Sequence, residues 1–157
     1  MPPSKPSLIC SDIRVGDLAR ALRFYRALGL RLVAKGEMED GTSLAWLQDP
    51  GTRQLLELFH LSRRSPLYRP LRQRPAPENA LIFSLRDVGG LLPRLRRHGA
   101  KLLSDFQDGE VRLTFVRDPD GTLLEFVSWT TVARKAHRRA PLLGIGLARH
   151  GPTSRQR

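Results

Sequence analysis

Few residues in this sequence can do chemistry, and most of them stand alone. The single cysteine, Cys10, excludes an internal disulfide and any zinc site built from cysteines. As a nucleophile Cys10 has no identifiable histidine partner, and a small buried apolar side chain is the simpler reading. The four histidines, His60, His98, His137 and His150, are scattered along the chain. Gly144-x-Gly146 follows no strand, so it is not a dinucleotide-binding loop. Two glutamates differ from the rest because they recur in matching contexts, Leu55-Leu56-Glu57-Leu58 and Leu123-Leu124-Glu125-Phe126. If both face one cavity, two carboxylates sit close together, and at least one pKa must rise unless a cation intervenes.

The elements that would position these glutamates come from an internal duplication. Ile13 to Leu18 and Phe83 to Val88 open two similar stretches, each followed by a helical pattern that ends in glycine, Leu28-Gly29 and His98-Gly99. Asp49-Pro50-Gly51-Thr52 is answered by Asp118-Pro119-Asp120-Gly121-Thr122, and the two glutamate segments follow. Each copy is too small to bury a good core alone, so the two must share one.

Each copy reads strand, helix, strand, strand, strand. The first copy gives strands Leu8–Val15, Arg31–Glu37, Thr42–Gln48 and Arg53–Leu61. Asp17 suits the helix N-cap and Gly29 the left-handed position after it, with Leu18, Ala21, Leu22, Tyr25 and Leu28 on one face. The second copy gives strands Ala80–Leu85, Lys101–Phe106, Glu110–Arg117 and Thr122–Trp129. Pro93 would break the middle of a helix but is tolerated in a first turn, which predicts a short or kinked second helix starting near Gly90. Strand parity groups Asp12 and Arg14 with Cys10, and Arg53 with Glu57, so either arginine could neutralise the carboxylates. Trp46 and Phe115 hold related positions in their third strands, as core packing or as a wall for a ligand.

Composition bounds the rest. The 157 residues carry 27 basic and 15 acidic side chains, for a formal net charge of +12. Seven of the basic residues and none of the acidic ones fall in 131–157, which leaves +5 on residues 1–130. The organisation read from this is an N-terminal extension 1–7, a folded region 8–129 made of modules 8–61 and 79–129, a Pro/Arg-rich loop 62–78, and a basic tail 130–157. No apolar run is long enough to span a membrane, and 1–7 lacks the apolar core of a signal peptide, so a cytoplasmic location is expected.

This tandem unit, with Asp17-Leu18, Phe24-Tyr25 and Leu28-Gly29 after strand one and Asp118-Pro119-Asp120-Gly121 with Glu125 in the last hairpin, resembles the vicinal oxygen chelate superfamily. That superfamily includes glyoxalase I, bleomycin- and fosfomycin-resistance proteins and extradiol dioxygenases. The resemblance implies an α+β fold, in which tandem βαβββ modules form a curled, mixed-sheet open barrel around a shared cavity. It also implies a divalent metal held by one residue from the first and fourth strands of each copy. Glu57 and Glu125 match the fourth-strand positions. Cys10 and Ala80 stand where first-strand histidines would be expected. His60, three past Glu57, should face away.

The set Glu57, Glu125 and Cys10 departs from the nitrogen-rich zinc pattern and suits a weakly held Mg²⁺ or Mn²⁺ better. The expected cofactor is therefore none, or one weakly bound divalent metal. The first functional expectation is a protein that binds a small, anionic molecule in the cavity, contacted by Cys10, Asp12, Arg14, Trp46, Arg53 and Phe115. The second is a metal-dependent lyase or dioxygenase with Glu57 or Glu125 as catalytic base. The third is non-specific nucleic-acid binding through the tail. A homodimer is the expected assembly, from the resemblance.

Overall fold

The computed structural model describes residues 10–69, 80–108 and 110–129. The extension 1–7, residues 8–9 of the expected first strand, residues 70–78 of the connecting loop, residue 79, and the tail with His137, His150 and Gly144-x-Gly146 lie outside the described residues.

Two equivalent sheets are present. β1 (Ser11–Arg14), α1 (Leu18–Leu28), β2 (Arg31–Glu37), β3 (Ser43–Gln48) and β4 (Leu55–His60) form the first half. β5 (Ala80–Ser84), α2 (Leu92–Arg97), β6 (Lys101–Asp108), β7 (Val111–Arg117) and β8 (Leu123–Trp129) form the second. The strand orders are β1-β4-β3-β2 and β5-β8-β7-β6. In each sheet the first strand runs parallel to the fourth, and the other three form an antiparallel meander. This is the mixed α+β architecture expected, with sheets that do not close. Register irregularities fall between Leu32 and Ala34 in β2 and between Leu102 and Ser104 in β6. Such bulges add twist to a strand, so both sheets curl at corresponding places.

Helix ends follow local chemistry. The Asp17 side chain accepts the Arg20 amide at 2.8 Å, and that bond holds its carboxyl below the usual range. Gly29 closes α1 at φ 118°, a conformation that costs a Cβ-bearing residue energy. α2 is six residues long, with Pro93 in its first turn, where the missing N–H is harmless.

One face of each sheet packs on the helices. Ile13, Leu47, Leu56 and Leu58 from the first half join Val116, Leu124 and Phe126 from the second in a single core around α1. Phe24 is fully buried there, whereas Leu22 and Leu28 are only partly buried, so the apolar face of α1 is rotated from the one expected. Phe24 and Tyr25 meet edge to face, with ring centroids 5.2 Å apart.

The halves are clasped by polar contacts between α1 and the β7–β8 turn. Asp118 is buried, and its Oδ1 accepts the amides of Asp120 at 2.9 Å and Thr122 at 2.7 Å. Its Oδ2 accepts the Tyr25 hydroxyl at 2.8 Å. Burial, and then the Asp118 charge, push the Tyr25 hydroxyl far above its ordinary pKa, so it remains a donor. Asp120 Oδ1 accepts the Gly16 amide at 2.9 Å and pairs with Arg20 at 2.6 Å. A Cβ on Gly16 would stand 3.0 Å from that oxygen, so any other residue here would have to push the Asp120 carboxylate back.

Tyr25→Phe removes one donor from a buried carboxylate and leaves the ring in place. The expected loss is about 1–3 kcal/mol, read as a lower urea midpoint at an unchanged slope. An unchanged midpoint would show that the clasp contributes nothing to stability.

Candidate functional site

The face of each sheet turned away from the helices carries the residues that the sequence singles out. In the first sheet Glu57 stands between Asp12 on β1 and Trp46 on β3. In the second, Glu125 stands between Ile82 on β5 and Phe115 on β7. Burial supports this assignment, because Leu56, Leu58 and Leu124, Phe126 on alternate positions of β4 and β8 are buried in the core. The two glutamates are therefore equivalent in register, each beside one aromatic residue. Both are half-buried.

The two faces differ in polarity. Asp12 has Ile82 as its counterpart, and Cys10 has Ala80. Cys10 is half-buried; burial first, and then the charges of Glu57 and Asp12, push its thiol upward. That electrostatic coupling places Cys10, Asp12 and Glu57 in one neighbourhood, which favours a protonated thiol over a nucleophilic thiolate. Arg14 is exposed at the end of β1 on the same parity. The second face is largely apolar. Ile82 is 61% exposed and Phe106 is 46% exposed, and Phe106 stacks on Phe115 at 6.1 Å.

The strand geometry answers two sequence expectations, one against and one for. β4 begins at Leu55, and Arg53 occupies the preceding turn at φ 65°, so its strand parity with Glu57 does not hold. The Arg53 carbonyl instead accepts the Gln48 side-chain amide at 3.2 Å. His60 does face away: its Nδ1 lies 3.2 Å from the Val15 carbonyl. The parallel pairing of β1 with β4 also sets Asp12 directly beside Glu57, a neighbour that parity within each strand does not report.

The donor set does not fit the metal that the fold implies. Among the described residues, no three His, Cys, Asp or Glu side chains are grouped so as to hold a metal ion. Ala80, the counterpart of Cys10, supplies no donor. Neither of two cavities in the described residues, of about 400 and about 540 Å³, is lined by Cys10, Glu57 or Glu125.

Comparison with known proteins agrees with this architecture. The family profile of the Glyoxalase/Bleomycin resistance protein/Dioxygenase superfamily matches residues 8–126. A glyoxalase family protein from Bacillus cereus is 20% identical over 82% of this chain and 98% of that one, with a TM-score of 0.64. The trypanothione-dependent glyoxalase I of Leishmania major is 25% identical over 86% of this chain and 95% of that one, with a TM-score of 0.63. An antibiotic-binding protein from a Streptomyces species is 19% identical over 82% and 99%, with a TM-score of 0.59. The comparison with curated proteins finds no match. No helix among the described residues is long and apolar enough to cross a membrane.

Alkylation of Cys10 reports the electrostatics of the first face. The thiol pKa is raised, so iodoacetamide should react with a pH midpoint above that of a free cysteine. Glu57→Gln, which removes one of the charges opposing the thiolate, should lower that midpoint. A midpoint unaffected by the substitution would separate Cys10 from Glu57.

Proposed function

The chain belongs to the glyoxalase/bleomycin resistance/dioxygenase superfamily, and from that premise we propose that it is a small-molecule-binding protein of this fold whose metal centre is incomplete. One observation carries the reading. Glu57 and Glu125 keep the equivalent fourth-strand positions, while Cys10 and Ala80 stand where the implied histidines would be. Chemistry that polarises a carbonyl on a metal needs a firmly held ion, and this donor set is poor for one.

The ligand is anionic overall, because residues 1–130 carry +5 and that field favours anions. Its charged end is drawn to Arg14, and hydroxyl or amide donors on it meet the Asp12 and Glu57 carboxylates. Trp46 and Phe115 supply apolar walls.

A second copy of the chain covers these faces in the proposed assembly. The exposed Ile82, paired with Glu125, and the exposed Phe106, stacked on Phe115, support this. Ile82→Asp should then convert a dimer into a monomer in analytical ultracentrifugation; a wild-type chain that sediments as a monomer would contradict the assembly.

Metal analysis and thermal shifts of untagged protein test the binding reading. Mg²⁺, Mn²⁺, Fe²⁺, Co²⁺, Ni²⁺ and Zn²⁺ should leave Tm unchanged. A fitting small carboxylate or phosphate at a hundredfold its Kd should stabilise by about 2.7 kcal/mol. Stoichiometric metal that is lost in both Glu57→Gln and Glu125→Gln would overturn the proposal and favour a metal-dependent lyase or dioxygenase.

A further inference from the structure

The two halves are alike in sequence order and in strand register, yet they are not equally filled. At the second half's Asp-Pro turn the space is closed. Tyr25 donates to Asp118, Phe24 packs edge to face on Tyr25, and both rings are fully buried. Pro119 presses close enough to Gly99 that a Cβ there would lie 3.2 Å from its Cγ.

The matching place in the first half is open. Its turn is Asp49-Pro50, and its facing helix is α2. In the duplication Arg94 corresponds to Phe24 and Leu95 to Tyr25, so two aromatic rings are replaced by a cation and an aliphatic side chain. Leu95 is buried, but Arg94 is exposed. Nothing lies within 4 Å of a Cβ built on Gly29, the counterpart of Gly99. A cavity of about 400 Å³ results, bounded by Asp49, Pro50, Arg94, Leu28, Phe83 and Phe126. That volume falls within the range of small-ligand pockets.

The Asp49 carboxylate also organises its own turn, although it is only partly buried where Asp118 is fully so. Its Oδ1 accepts the Gly51 amide at 2.6 Å and the Thr52 amide at 2.9 Å. At the second turn the remaining oxygen takes a phenol hydroxyl from within the same chain. We infer that the Asp49 cavity is a binding site for a small hydroxyaromatic molecule. The ring replaces the missing Phe24–Tyr25 counterpart against the partly buried Phe83, and the hydroxyl donates to Asp49. This site is separate from the Glu57 and Glu125 faces, whose residues do not line it.

The probe is p-cresol, the tyrosine side chain with a hydrogen in place of the backbone. Titrated into the full chain and followed by amide NMR, it should shift Leu28, Ser84 and Arg94 saturably. 4-Methylanisole, which cannot donate, should bind at least fivefold more weakly. Asp49→Asn keeps an oxygen for the turn but loses the carboxylate acceptor, and should weaken p-cresol at least fivefold. Arg94→Phe, which supplies the ring found in the first half, should abolish binding and raise Tm. The inference is overturned if p-cresol shifts none of these amides, if its shifts centre on Trp46 or Phe115 instead, or if both variants bind it as the wild type does.

Discussion

The Asp118 carboxylate is the joint on which the two halves turn. It is buried, and a buried carboxylate is tolerated only when its oxygens are satisfied. One oxygen organises the turn between β7 and β8, and the other receives the Tyr25 hydroxyl from α1, 93 residues earlier. Local turn geometry and the packing of the halves therefore depend on the same group. The Gly16 and Arg20 contacts to Asp120 reinforce the joint at the rim, where Arg20 is substantially exposed and the ion pair itself contributes little.

Each sheet buries its helix-facing side in the common core and keeps its other side out of it. That division places Glu57 and Glu125 away from the core at equivalent positions. The same duplication then diverges in chemistry. The first face has Cys10 and Asp12 beside its glutamate, whereas the second has Ala80 and Ile82. Divergence of this kind fits a fold reused for different ligands better than a symmetric metal centre, since a fold alone does not specify activity.

Much of this was readable from the sequence because it rests on local chemistry. Asp17, Gly29 and Pro93 each signal a helix end through their own backbone or side-chain preferences. Most strand boundaries follow the turn residues, although β1 ends at Arg14 and β4 begins at Leu55, inside the expected bounds, and the repeat makes Glu57 and Glu125 equivalent. What escaped is non-local or depends on a single dihedral. The left-handed turn at Arg53 displaces it from the strand, which parity alone could not reveal. Phe24 is buried because a second half lies beyond α1, and helix periodicity does not report which neighbour arrives. The Tyr25–Asp118 bond and the unequal filling of the two Asp-Pro turns exist only once the halves are placed together.

Native-state hydrogen exchange of the full chain tests the shared core most directly. If the joint makes one cooperative unit, the slowest amides of β3 and β4 and those of β7 and β8 exchange through the same global opening. Their protection free energies and denaturant slopes then coincide. Protection that separates into two levels, with one sheet opening while the other persists, would contradict a single core held by Tyr25 and Asp118.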